Sequence, residues 1–346
     1  MFFHEDRFTW VDVEVTNYCN FNCWFCPRNA MTRKKGMMDY EDYKDMVINL
    51  NSADFLKEIL IGGIGEPTLH PHIIKMLSFI KQNTTLRAVL ITNGSKFRDR
   101  SFVERLFKTN IDKVIISYRI SDPVKNKTSL PPNFDYDEYV TSLLDFVELK
   151  YRHNYNTEIE VAFFKNTYYS KFILDINLEN FINEDRLNDF VNRISNIIKV
   201  DLKSYNDYVK SISSHLGNVE NIPVYKDLKF RFDGPSAWTT AVKKNEKPNQ
   251  YFPARYGSCL GLLEHFAIYW NGDVSTCCAD FDVNNYLGNI FKDKDIVKIL
   301  SNPQSQFFAK RLRKRRMPTK TCQICRGGKS QKEKWANILG TILYTN

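Results

Sequence analysis

The chain reads as an α/β protein built on a parallel sheet, followed by a small second domain. Three observations predict this. Short apolar strands alternate with amphipathic helices over residues 10–202, which is the pattern of βα units. Residues able to do chemistry cluster just after those strands, where parallel folds place their sites. A second cysteine group, arranged around a hairpin signal, occupies the tail.

The elements follow in order. Trp10, Val11, Val13 and Val15 form an alternating first strand. Asp39–Leu50 carries Tyr43, Met46, Val47 and Leu50 at helical spacing. Ile59–Ile61 is a second strand, and Pro71–Ile80 a helix with Ile73, Ile74, Leu77, Phe79 and Ile80 on its stripe. Ala88–Ile91 is the third strand, followed by the helix Arg100–Phe107 with Phe102, Val103, Leu106 and Phe107. Val114–Ile116 is the fourth. The helix Asp137–His153, strand Glu158–Phe164, helix Asn183–Ile194 and strand Ile197–Leu202 complete a count of six strands. The polar stretches Ser121–Asn133 and Val242–Pro253 read as connections. The second marks the boundary between residues 1–240 and 241–346.

The first strand runs into Cys19-Asn20-Phe21-Asn22-Cys23-Trp24-Phe25-Cys26, a C-x3-C-x2-C spacing. Three thiolates on one short loop can ligate three irons of a [4Fe–4S] cluster and leave the fourth open. A structural zinc site wants four ligands, and this group offers three. The run resembles the signature of the radical S-adenosylmethionine (SAM) enzymes, including the aromatic Phe25 before the last cysteine. The resemblance implies that SAM chelates the open iron and is cleaved to a 5′-deoxyadenosyl radical. It also implies a partial (β/α)6 barrel.

Further motifs resemble the same family. Gly62-Gly63-Ile64-Gly65-Glu66-Pro67 follows the second strand. Glycines admit close backbone approach, and the resemblance implies that Gly62, Gly63, Gly65, Glu66 and Pro67 serve the SAM site. Thr92-Asn93-Gly94 ends the third strand and resembles a turn near the SAM ribose and substrate. Ser117 and, more weakly, Arg119 follow the fourth strand and are candidate SAM contacts. Strand-end capping is the alternative for both.

In the tail, Cys259 precedes the strand-like Phe266–Trp270, the turn signal Asn271-Gly272, the doublet Cys277-Cys278, and finally Cys322-Gln323-Ile324-Cys325. This resembles the SPASM and twitch domains appended to radical SAM barrels, together with Leu287–Ile290 and a helix over Gln304–Arg316. The longer pattern would have a further cysteine at position 331, which is Gln here. The resemblance therefore implies one auxiliary [4Fe–4S] cluster on Cys259, Cys277, Cys322 and Cys325. A four-thiol zinc site is the alternative. Cys278 is left over as an alternative ligand, a buried thiol or a hydrogen-atom donor to a substrate radical.

Composition narrows the class. The chain has 346 residues, 43% of them hydrophobic, and a net charge of +9. That is enough core for a barrel plus a small domain. No apolar run approaches the roughly 20 residues needed to span a bilayer. The N-terminus has no signal-peptide pattern, so the expected setting is cytoplasmic and the cysteines serve metal rather than disulfides. The charge is too mild to be a nucleic-acid footprint. The densest basic run, Lys310–Arg316, reads as a solvated helix face, as a docking face for an acidic flavodoxin- or ferredoxin-type electron donor, or as a contact for a phosphorylated substrate. Only a few residues precede the first strand, which leaves no room for a leader-binding domain. The expected substrate is a small molecule of the sugar or amino-sugar kind, undergoing dehydrogenation or epimerisation. The alternatives are a peptide brought by a separate leader-binding partner and a non-catalytic metal-binding protein.

Overall fold

The computed structural model describes residues 9–165, 178–212, 219–234 and 251–344. Part of the expected loop Val242–Pro253, up to residue 250, lies outside them. The chain forms two compact units: Met1–Cys19, Phe25–Ala88 and Ser236–Asn346 make the first, and Asn20–Trp24 with Val89–Pro235 the second.

In the first unit, β1 (Trp10–Val13) pairs in parallel with β2 (Glu58–Ile61) on one side. On its other side it pairs, again in parallel, with β8 (His265–Ile268), in the register Trp10↔His265 and Val13↔Ile268. The hairpin β8–β9 (Asp273–Ser275) and the antiparallel β10 (Tyr286–Asn289) extend the sheet beyond β8. Gly272 makes the hairpin turn at φ +82°, a left-handed value that glycine adopts without strain. Helices α1 (Tyr40–Asn51) and α2 (Ile73–Asn83) cover this sheet. Asp39 caps α1 by accepting from the amides of Glu41 and Asp42. The stripe Tyr43, Met46, Val47 and Leu50 is fully packed, with exposures of 0–2%. Each such side chain contributes about 1.5–3 kcal/mol of burial.

In the second unit β3 (Arg87–Thr92), β4 (Lys113–Ser117), β5 (Glu158–Phe164) and β7 (Leu228–Asp233) are parallel neighbours, and β6 (Val219–Tyr225) lies antiparallel on β7. Helices α3 (Arg100–Lys108), α4 (Tyr136–Arg152), α5 (Glu184–Ile198) and α6 (Tyr205–Ile212) accompany them. The tail of the first unit adds α7 (Ile290–Asp293), α8 (Ile296–Ser301), α9 (Pro303–Arg313), α10 (Lys320–Cys325) and α11 (Gln331–Tyr344). The fold is of the expected α/β class with parallel strands: β1, β2 and β8 in the first unit, and β3, β4, β5 and β7 in the second.

One strand differs from expectation. Residues 197–202 do not form the sixth strand. The buried stripe Leu187, Phe190, Val191, Ile194 and Ile198 keeps its helical spacing through Ile198, so α5 absorbs the apolar pair. Lys199, at φ +55°, then ends the helix. The sixth strand is β7, whose Leu228, Phe230 and Phe232 are buried and alternate with Lys229 and Arg231.

Candidate iron–sulfur and SAM sites

The loop after β1 is held by its own polar side chains. Asn17 donates from Nδ2 to the Lys34 carbonyl (2.9 Å) and accepts at Oδ1 from the Gly36 amide (2.9 Å). Thr16 Oγ1 donates to the Gly36 carbonyl (3.0 Å). The cysteine loop is thereby closed at its base. Cys19 and Cys26 belong to the first unit and Cys23 to the second. Arg28 donates to the Cys19 carbonyl (3.4 Å). Burial raises the Cys26 thiol above its ordinary value, against the opposing pull of Arg28.

The glycine-rich turn packs directly onto this loop. An ideal Cβ on Gly65 would lie 2.1 Å from the Thr16 carbonyl oxygen and 2.7 Å from that of Tyr18. The Glu66 amide donates to the Tyr18 carbonyl (2.8 Å). Gly63 sits at φ +103°, with Glu14 Cβ 3.0 Å from its ideal Cβ position. The buried Glu66 carboxylate accepts from the Thr68 amide (3.1 Å) and hydroxyl (2.7 Å), which caps the turn opened by Pro67. Phe25 and Gly62 flank these features in the same unit.

In the second unit, Thr92 Oγ1 accepts from the Gly94 amide (3.0 Å), and Asn93 Nδ2 donates to Asn20 Oδ1 (3.0 Å). Asn20 Nδ2 donates onward to Ser95 Oγ (2.8 Å). The Thr-Asn-Gly turn is thus clipped to the segment that carries Cys23. Ser117 closes β4 opposite Ala162. Arg119 pairs with Asp233 at 2.6 Å and lies 5.0 Å over the Phe164 ring. Trp24 stacks on Phe181 at 4.1 Å. Ser117, Phe164 and Asp233 end β4, β5 and β7, Arg119 lies two residues beyond β4, and Trp24 stands in the cysteine loop after β1. Sequence reasoning singled out neither Trp24 nor Asp233. An aromatic between two cysteines and an acid ending a strand were the available signals.

The second cysteine set is brought together. Cys259, Cys277, Cys322 and Cys325 line one pocket with Gly261, Asn285 and Arg326. Cys322 and Cys325 stand one turn apart on α10, which Thr319 caps from Oγ1. A Cβ on Gly261 would meet Cys277 Cβ at 2.9 Å, so glycine lets this backbone close on the thiols. Burial raises Cys277, and the charges of Cys259, Cys278 and Cys325 raise it further. Burial also pushes Cys322 up to about 11. Burial lowers Arg326, but Cys259 and Cys325 outweigh it and raise its pKa overall. Asn285 Nδ2 donates to Cys322 Sγ at 3.6 Å. Four thiols gathered on one pocket, beside the Arg326 guanidinium, suit a multiply charged iron core as ligands.

Cys278 is turned elsewhere. Its thiol hydrogen-bonds to Asp12, and burial raises both groups, Asp12 to about 7. It does not line the four-thiol pocket.

The fold and the two cysteine sets are those of an iron–sulfur protein. Residues 13–157 match the radical SAM superfamily, and residues 259–326 match the SPASM iron–sulfur cluster-binding domain. The chain is a radical SAM superfamily protein with a C-terminal SPASM domain, and its cofactors are SAM and [4Fe–4S] clusters. It is 31% identical over 112 residues to the S-adenosyl-L-methionine-dependent 2-deoxy-scyllo-inosamine dehydrogenase of Niallia circulans, covering 32% of this chain and 44% of that one. The chain spans about half the length of the curated relatives it matches: 44% of this dehydrogenase and 58% of the tungsten-containing aldehyde ferredoxin oxidoreductase cofactor-modifying protein of Pyrococcus furiosus. In fold it resembles BtrN in complex with AdoMet and 2-DOIA, with a TM-score of 0.51, 18% identity and coverage of 91% and 92%. It also resembles SuiB of Streptococcus suis bound to S-adenosylmethionine, with a TM-score of 0.52, 20% identity and coverage of 87% and 67%. Among the described residues no helix is long and apolar enough to cross a membrane.

Proposed function

We propose that this protein is a radical SAM dehydrogenase acting on a small sugar-like or amino-sugar-like substrate. Cys19, Cys23 and Cys26 hold the SAM-binding cluster in this reading. Phe25, Gly62, Gly63, Gly65, Glu66, Pro67, Thr92, Asn93 and Ser117 shape the SAM site. Cys259, Cys277, Cys322 and Cys325 hold the auxiliary cluster in residues 241–346, after a barrel in 1–240. When bound, the first cluster supplies the electron that cleaves SAM to a 5′-deoxyadenosyl radical, which removes a hydrogen atom from substrate carbon.

The observation that carries dehydrogenation is the complete four-thiol set beside Arg326. A cluster held by all four thiols would have no open iron for substrate, and would supply an acceptor for the one electron that a substrate radical gives up, together with a proton, on becoming a ketone. Epimerisation needs no electron acceptor; it needs a hydrogen donor, and Cys278 is turned toward Asp12. For the substrate class, the support is the named dehydrogenase relative together with the chemistry after β4, β5 and β7. Trp24 and Phe164 offer ring faces to a sugar, and Arg119 and Asp233 offer charge to hydroxyl or amino groups. Asp233 Oδ1 is buried and has no hydrogen-bond partner among the described residues, so an ammonium or hydroxyl donor would satisfy it.

The electron donor is proposed to be an acidic flavodoxin or ferredoxin. Arg255, Tyr256, Arg311, Arg316 and Gln323 line a cavity of about 390 Å³, and Gln323 lies on the same short helix as Cys322 and Cys325.

The test is anaerobic reconstitution with SAM, reductant and C-deuterated amino-cyclitols and amino sugars. Deuterium in 5′-deoxyadenosine together with a ketone product is expected. 5′-Deoxyadenosine with turnover only on a peptide would replace this reading with a peptide-modifying one. No SAM cleavage under any condition would leave a metal-binding protein.

A further inference from the structure

Cys278 is the one cysteine that neither cluster uses, and its surroundings are specific. Asp12 on β1, His265 on β8 and Cys278 just beyond β9 each present one ligand atom, and the three atoms lie within 4.8 Å of one another. All three residues belong to the first unit. Two of them hold polar atoms that the described residues do not satisfy. Asp12 is 8% exposed, and its Oδ2 is buried without a hydrogen-bond partner. His265 Nδ1 is likewise buried and unpartnered. A buried orphan of this kind is destabilising, and more so when it is charged. Two in one small cluster ask for a single partner that takes a lone pair from each.

The chemistry of the three atoms selects that ligand. A backbone-rigid carboxylate, imidazole and thiol form a mixed oxygen, nitrogen and sulfur set that suits a borderline-soft divalent ion. At zinc bond lengths of about 2.0–2.3 Å, tetrahedral ligands stand roughly 3.4–3.8 Å apart. Side-chain rotations on the order of 1 Å would therefore close the observed set. The positions are also well fixed. Trp10 and His265 are register partners across β1 and β8, and their rings stack at 4.9 Å and 9°, which sets the imidazole plane.

We propose that Asp12, His265 and Cys278 form a third metal site, distinct from both cluster sites, that binds one zinc ion through three protein ligands with water in the fourth position. The thiol binds as thiolate and its proton leaves to solvent; no electron is transferred. The ion would clasp β1 to the hairpin that presents Cys277, its chain neighbour. This inference is independent of the substrate and reaction proposed above.

The experiment is metal analysis and zinc K-edge absorption on the full chain, reconstituted anaerobically with iron and sulfide and then given one equivalent of zinc. The expected protein holds about eight irons and one zinc. The zinc should show one sulfur neighbour at about 2.3 Å and three lighter ones at about 2.0–2.1 Å. His265→Gln and Cys278→Ser should each lose the zinc while keeping all the iron. Asp12→Asn provides a third variant if either of these fails to fold. Absence of bound zinc in the parent protein would overturn the proposal. So would a coordination shell of three or four sulfurs, which would put zinc in a cluster site. Loss of about four irons in Cys278→Ser would also overturn it, by making Cys278 a cluster ligand.

Discussion

Gly65 and Thr16 touch so closely that no side chain fits between them: an ideal Cβ on Gly65 would sit 2.1 Å from the Thr16 carbonyl oxygen. The glycine-rich turn and the start of the cysteine loop are therefore one packed object. The partner atom is backbone, which has no rotamer by which to yield. Gly65→Ala should cost about 1–3 kcal/mol through overpacking and displace the Tyr18 carbonyl that receives the Glu66 amide. A lowered melting temperature together with weakened SAM binding by equilibrium dialysis is the expected pair of results. Unchanged values for both would mean that the turn relaxes freely away from the loop.

Gly63 separates a second role. Its φ of +103° is strained for any other residue, and its neighbour there is a side chain, Glu14. Gly63→Ala should therefore weaken SAM binding while both sets of iron are retained. Full SAM affinity in Gly63→Ala would show that the turn's conformation does not matter to the cofactor.

Where local pattern carries the information, the sequence was legible. The stripe of α1 and that of α3 lie buried as their spacing implies, and the cysteine and glycine motifs follow strand ends as expected. What escaped depends on contacts between distant residues. Nothing near Phe266 announces that β8 will pair in parallel with β1, some 250 positions earlier. Strand 197–202 failed because two apolar residues at a helix end look the same as two at a strand start. Asp12 and Glu14 alternate with Val11, Val13 and Val15, and the apolar half of that pattern says only that a strand is present, not what its polar half touches. The polar half of the pattern held the Arg33 ion pair to Glu14 and the contact to Cys278.

The cysteine doublet gives a sharp comparison of single variants. Cys277 lines the four-thiol pocket, and Cys278 faces Asp12. Cys277→Ala should fall from about eight irons to about four, while Cys278→Ala should keep about eight. The triple variant Cys19→Ala, Cys23→Ala, Cys26→Ala should keep about four and cleave no SAM. Retention in Cys277→Ala with loss in Cys278→Ala would reverse the assignment.

Arg326 is a buried cation among the auxiliary thiols. A positive charge there favours the more reduced, more negative cluster. Arg326→Gln should keep the iron but move the auxiliary midpoint potential negative by on the order of 60 mV, equivalent to about 1.4 kcal/mol for one electron. Redox titration followed by electron paramagnetic resonance reads this directly. A midpoint that stays in place would mean that the guanidinium charge is screened from the cluster.

The cavity of Arg255, Arg311 and Arg316 supplies the last expectation. Arg311 Nε is buried there and lacks a hydrogen-bond partner among the described residues. Three guanidinium groups around a cavity that Gln323, on the helix of Cys322 and Cys325, also lines suit carboxylates on a partner's surface. The double variant Arg311→Glu, Arg316→Glu should slow SAM cleavage driven by reduced flavodoxin by about tenfold or more, since charge reversal acts mainly on association rate. Cleavage driven by dithionite, a small reductant that needs no docking, should be unchanged. Added salt should slow the parent protein with flavodoxin and leave the variant nearly indifferent. Equal slowing with both reductants would locate the damage in the cluster itself, and no slowing with either would remove this face from the electron path.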